Sequence, residues 1–171
     1  FDAIAAEVAS AYTLVDVGGW DGYFARRFAE AGMDTTLIEP RNVRELPAGV
    51  DHVQTRVDAA TPIPDCDAAL ALAVLHHIPD WEDVLTNLRR ASRTLIVEPA
   101  VPAEMDGELS PTLIETGDRI GPIHELLSDI GRTFATTPGP NGVRRPLIAV
   151  RNRWSGTVEA GRGVASENHF E

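Results

Sequence analysis

The sequence predicts an α/β domain of the doubly wound type: a mostly parallel seven-stranded sheet with an antiparallel C-terminal hairpin and helices on both faces. Three observations predict it. Short β-type runs alternate with amphipathic helical segments, a glycine turn follows the first of those runs, and the turn sequence "PGPNG" separates the last two.

The elements follow in order. Phe1, Ile4, Ala5 and Val8 recur at helical spacing, so residues 2–11 read as a helix leading into the domain. "TLVDV" from Thr13 is a first strand, stopped by Gly18. Phe24, Phe28 and Ala31 share one face of a helix that begins after Gly22 and ends at Gly32, and "TTLIEP" is the second strand, completing a βαβ unit. "DHVQTRV" alternates as a third strand would, and "AALALAV" is apolar on both faces, as buried parallel strands are. Asp80 is placed to cap a helix striped by Trp81, Val84, Leu85, Leu88 and Ala91, after which "TLIVEP" supplies a fifth strand. Residues 101–120, with five acids, one Arg, two prolines and no clear period, read as a surface excursion. Ile123, Leu126, Leu127 and Ile130 restore a helix closed by Gly131, and "TFATT" and "PLIAV" flank the hairpin turn. The expected organisation is one domain over residues 1–151 and a polar, Gly-containing tail over 152–171.

Composition narrows the function. At 171 residues, 43% of them hydrophobic and 24% charged, the chain has the size and content of one globular domain. Its net charge of −11 argues against general nucleic-acid binding, which draws its affinity from clustered cations. All fifteen cations are arginine, a composition to which we attach no catalytic meaning. The lone Cys66 cannot form an internal disulfide and fits a reducing compartment. The apolar run "AALALAVL" is far short of the ~20 residues that span a bilayer. No basic segment precedes the first helix, so a cytoplasmic location is expected, while Phe1 in place of Met allows for an upstream piece.

The turn from Asp16 to Gly22, "DVGGWDG", carries the first functional signal. In doubly wound sheets ligands sit beyond the carboxyl ends of the strands, and the first strand-to-helix turn belongs to that site. The turn is D-x-G-x-x-x-G rather than the dinucleotide G-x-G-x-x-G. Glu39, ending the second strand, is placed to accept two hydrogen bonds from ribose hydroxyls; this spacing suits either nucleotide class.

Taken together, "VDVGGWDGYF", "LIEP" and "DAALALAVLHHIPDWEDVLTNLRRAS" resemble the class I S-adenosylmethionine-dependent methyltransferases, over about residues 10–151 and most specifically at "VLHHIPDW". The resemblance implies a Rossmann-like fold and a transferase that uses S-adenosyl-L-methionine and leaves S-adenosyl-L-homocysteine. It implies that Asp16, Gly18, Gly19 and Gly22 surround the cofactor's amino-acid end. Glu39 would hold the ribose, Asp58 the adenine amino group with Val57 or Ala59 beside it, and Leu75 would border the methyl. Trp20 stands where the family's middle glycine does, so its side chain must point away from the methionine part or partly line the pocket.

Methyl transfer needs an aligned acceptor and, for a hydroxyl or acidic carbon, a base. His76 and His77 sit where the fourth strand ends, and an imidazole titrates near neutrality, so one of them is a candidate. Adjacent residues leaving a strand point in different directions, which leaves at most one facing the acceptor. His76, His77, Cys66 and His124 show no metal-ligand spacing, so no metal is expected. Arg144 and Arg145 could recognise an acidic acceptor, although such a pair is more often plain surface. "LHHIPD" replaces the Asn/Asp-Pro-Pro-aromatic motif of the DNA amino-methylating enzymes, which argues against nucleobase amines.

The expected activity is methyl transfer to an O, N or C atom of a small or medium-sized acceptor. The alternatives are a non-catalytic module of the same fold that binds cofactor or a partner protein, and an enzyme acting on RNA, a peptide or a glycan. A nucleotide-dependent oxidoreductase is the weakest reading. With little sequence available to enclose the acceptor, the site is expected to be open, or completed by a second copy or partner subunit.

Overall fold

The computed structural model describes residues 1–106 and 111–152, at 111–113 and 141 through the backbone alone. Its seven strands are β1 (Thr13–Val17), β2 (Asp34–Ile38), β3 (Val50–Val53), β4 (Cys66–Leu72), β5 (Ser92–Glu98), β6 (Arg132–Pro138) and β7 (Arg144–Arg151). They form one sheet in the order β3-β2-β1-β4-β5-β7-β6. Pairing is parallel from β3 through β5 and antiparallel for β5–β7 and β6–β7. This is the doubly wound sheet with a closing antiparallel hairpin that the sequence predicts.

The two faces are buried by different helices. Against one face, Trp81, Val84, Leu85 and Leu88 of α3 (Trp81–Ala91) and Ile123 and Leu127 of α4 (Pro111–Ile130) join Ala69, Ala71, Leu95 and Val97 in one cluster. Against the other, Ile4 of α1 (Asp2–Glu7), Val8 and Phe28 of α2 (Tyr23–Glu30) join Leu14, Ala68, Leu70 and Ile96. Alternate residues of β4 thus serve opposite clusters, the reason "AALAL" is apolar throughout.

Several boundaries differ from the expectation. β3 stops at Val53 because β2, with which it pairs, stops at Ile38. α1 ends at Glu7 rather than at residue 11. Asp80 precedes α3 without a side-chain cap bond; its carboxylate instead accepts the backbone N–H of Ala59. The expected surface excursion is largely structured: Pro102–Met105 form a 3-10 turn with Glu104 fully buried, and α4 begins at Pro111, where a missing N–H costs nothing. Gly117, Gly121 and Pro122 hide that helix from local propensity, and packing of Ile120, Ile123 and Leu127 holds it. The tail beyond Asn152, with Arg153, Trp154 and His169, lies outside the described residues.

Candidate active site

Two backbone segments at the carboxyl ends of β1 and β2 build the site. Asp16 stands in β1 between Leu37 of β2 and Leu70 of β4 and is 1% exposed. Among the described residues its Oδ2 is the buried side-chain oxygen without a hydrogen-bond partner. Burial, reinforced by the charges of Glu39 and Asp21 and opposed by a hydrogen bond from the Ala25 backbone, pushes its carboxyl up to about 7.

The turn that follows is bare backbone. Gly18 adopts φ +68, and a Cβ there would collide with Val74; a Cβ on Gly19 would collide with the Asp16 carboxylate and stand 2.6 Å from Leu37 Cδ1. Only glycine leaves this concavity open. Gly22, also left-handed, leads into α2.

Glu39 follows β2 and is 4% exposed. Its Oε2 accepts the Trp20 N–H at 3.1 Å and its Oε1 the Arg41 N–H at 3.0 Å. His52 Nε2 lies 2.9 Å from the Glu39 carbonyl oxygen and donates to it in the matching tautomer. Each carboxylate oxygen keeps a lone pair for a further donor. Trp20 occupies φ 53 with its side chain 65% exposed, and the Arg41 guanidinium lies 3.5 Å from the ring centroid.

The remaining sequence-predicted positions are less uniform. Asp58 is exposed, and its Oδ1 accepts from Ala60 N at 3.0 Å and Thr61 Oγ1 at 2.9 Å, an acid folded into its own turn. Val57 is buried and Ala59 exposed. Leu75 is buried in the α3-side core, and it is Val74 that lies against Gly18.

His76 and His77 follow β4 in a 3-10 turn, with ring centroids 4.0 Å apart. His76 is 4% exposed; burial, then the neighbouring His77 and Arg145, lower its pKa to about 4, so at neutral pH it is uncharged and a weak base. His77 is exposed and is lowered by partial desolvation and by Arg145 and Arg119. Arg119 of α4 donates to the His76 carbonyl at 3.2 Å, tying this turn to the helix.

Beside them is an ion network that the sequence did not reveal. Arg145 donates to both Glu104 oxygens, Nε to Oε1 at 2.8 Å and Nη2 to Oε2 at 2.6 Å, and its Nη1 lies 3.3 Å from Glu98 Oε1. The Val101 N–H also reaches Glu104 Oε1, at 2.9 Å, and Thr137 holds Glu98. These partners hold the Glu104 carboxyl below its ordinary range despite burial. The Arg145 side chain, 12% exposed, is therefore neither plain surface nor a free anion receptor, and Arg144 is turned onto Thr136. The only sequence signal was an acid three residues after Val101 and an arginine entering β7.

A cavity of about 300 Å³ lies at the opposite ends of the strands, against Thr13, Asp34, Val50 and Cys66, away from the glycine turn. It is not the site described. Among the described residues no three His, Cys, Asp or Glu side chains are grouped to hold a metal, and no helix is long and apolar enough to cross a membrane.

A family model described as "Methyltransferase domain" matches residues 2–108. The chain belongs to the methyltransferase domain family. Comparison with curated proteins gives no match. Among solved structures, this methyltransferase-family chain is similar to the bifunctional kinase-methyltransferase WbdD, at 20% identity and TM-score 0.64, over 89% of this chain and 37% of that one. It is similar also to the N-methyltransferase NodS from Bradyrhizobium japonicum WM9, at 13% identity and TM-score 0.64, over 88% and 92% of the two chains. Magnesium protoporphyrin IX methyltransferase from Synechocystis PCC 6803, solved with bound SAM, gives 18% identity and TM-score 0.60 over 88% and 77%. These likenesses show the fold. The chain spans under two fifths of WbdD.

Proposed function

We propose that the chain transfers a methyl group from S-adenosyl-L-methionine to an O, N or C atom of a small or medium-sized acceptor. The observation that carries this reading is the buried Glu39 carboxylate, oriented by the Trp20 and Arg41 N–H groups beside a glycine concavity and an unpartnered acid oxygen. That set fits the cofactor: a diol needs a paired acceptor, a cationic amine an acid, and a close-lying chain bare backbone. Magnesium protoporphyrin IX methyltransferase, a solved structure of similar fold that holds SAM and is named for a small molecule, supports the same reading.

In this reading Glu39 accepts from the ribose hydroxyls, while Asp16, Gly18 and Gly19 receive the amino-acid end. Asp58 reaches the adenine with the carboxylate oxygen its own turn leaves free. The bound cofactor supplies an electrophilic methyl on a sulfonium. His77, the more accessible imidazole, takes a proton from the acceptor, and the buried neutral His76 packs beside it and orients the turn.

Calorimetric titration with S-adenosylmethionine, S-adenosylhomocysteine and NAD tests the cofactor assignment. Replacing Glu39 by Ala is expected to weaken the first two ligands by roughly ten- to a hundredfold, the equivalent of ~1.5 to 3 kcal/mol for hydrogen bonds to a charged acid. Binding of NAD in preference to either would refute the reading.

A further inference from the structure

Trp20 and Arg41 pair at the surface, outside the buried core clusters. A tryptophan at φ 53 holds a left-handed conformation that costs an L residue about 1–2 kcal/mol. Its side chain is 65% exposed, so core burial does not offset that cost. Arg41 is exposed as well, in a chain with 26 acids, yet among the described residues its guanidinium meets no carboxylate and lies 3.5 Å from the indole centroid instead. The two residues come from different loops, Trp20 from the turn after β1 and Arg41 from the segment after β2. Their backbone N–H groups grip opposite oxygens of the same carboxylate, Glu39. The stack therefore bridges the two loops that frame Glu39, and it does so from the solvent side.

We propose that the Trp20–Arg41 stack is a clasp forming the outer wall of the ribose pocket and covering the nucleoside half of the cofactor once it is bound. The inference rests on the cofactor reading above. A ribose engaging Glu39 arrives within contact distance of both loops, and its non-hydroxyl face covers the indole surface now open to water. Arg41 acts from the far side of the ring, holding the indole in one orientation so that little side-chain freedom is lost on binding. The left-handed backbone at Trp20 is what aims its N–H at Glu39 while the ring stays outside the glycine concavity.

The experiment is titration of the full chain with S-adenosylhomocysteine, reading both heat and tryptophan fluorescence, for the natural protein and for Trp20→Gly, Trp20→Phe and Arg41→Gln. Thermal midpoints verify that each variant is folded. The clasp requires that Trp20→Gly and Arg41→Gln each weaken binding about fivefold, in keeping with the size of an exposed cation–π contact. Trp20→Phe should retain most of the affinity and lose the part of the fluorescence response that Trp20 contributes, Trp81 and Trp154 being unchanged. Equal or tighter binding by folded Trp20→Gly, with the natural protein also binding, would overturn the clasp and leave the cofactor reading standing. Binding by Trp20→Gly alone would make the indole an obstruction, again overturning the clasp. Binding by neither would remove the cofactor reading and the clasp together.

Discussion

Asp16 and His76 sit buried a few residues from the ends of neighbouring strands, and each has its ionised form disfavoured mainly by burial. Their effects on stability have opposite sign. Asp16 is raised from 3.8 to about 7, so between those values the folded chain keeps a proton the unfolded chain has lost, and stability falls as pH rises. His76 is lowered from 6.5 to about 4, so in that window the unfolded chain holds the extra proton, and stability increases as pH rises. Urea midpoints between about pH 4.5 and 6.5 should separate the two. Relative to the natural protein, Asp16→Asn is expected to gain stability as pH rises through this window, and His76→Asn to lose it. Parallel profiles for all three proteins would contradict both assignments.

At the level of elements, the Arg145 network ties the start of β7 to the end of β5 and to the 3-10 turn at Pro102–Met105. Glu104 is fully buried, so removing its cation strands a charge in a poorly solvated place. Arg145→Met is expected to destabilise the fold by about 3 kcal/mol in urea denaturation, in line with breaking a buried pair from one side. Adding Glu104→Gln should recover part of that loss, because the stranded charge is then gone; simple additivity of the two changes would show the residues to be uncoupled. This network explains why a stretch with the composition of a surface excursion is held in place beside the two histidines.

Over the whole molecule, a net charge of −11 on 171 residues means that compaction works against self-repulsion. Surface ion pairs such as Glu7 with Arg132 and Arg151 offset little of it, since the arginines are largely exposed. Raising NaCl from a few millimolar to about 0.15 M, where the Debye length is about 8 Å, is therefore expected to raise the thermal midpoint. A midpoint that falls with salt would mean that attractive pairs outweigh the repulsion.

What the sequence determined by itself is what depends on near neighbours along the chain. The strands and the helices α2 and α3 were legible because burial on one or two faces imposes periods of two and 3.6 on adjacent residues. The glycine turn and Glu39 were legible because their spacing is local to one βαβ unit. Tertiary structure alone decided which histidine is buried, where Trp20 faces, and that Glu104 and Arg145, forty-one positions apart, form one buried pair. It also decided that Val74 rather than Leu75 meets Gly18, and that α4 runs from Pro111 through a glycine- and proline-containing stretch. Those outcomes depend on which elements pack together, and packing can override local propensity and bring an acid and a cation together with no period to announce it.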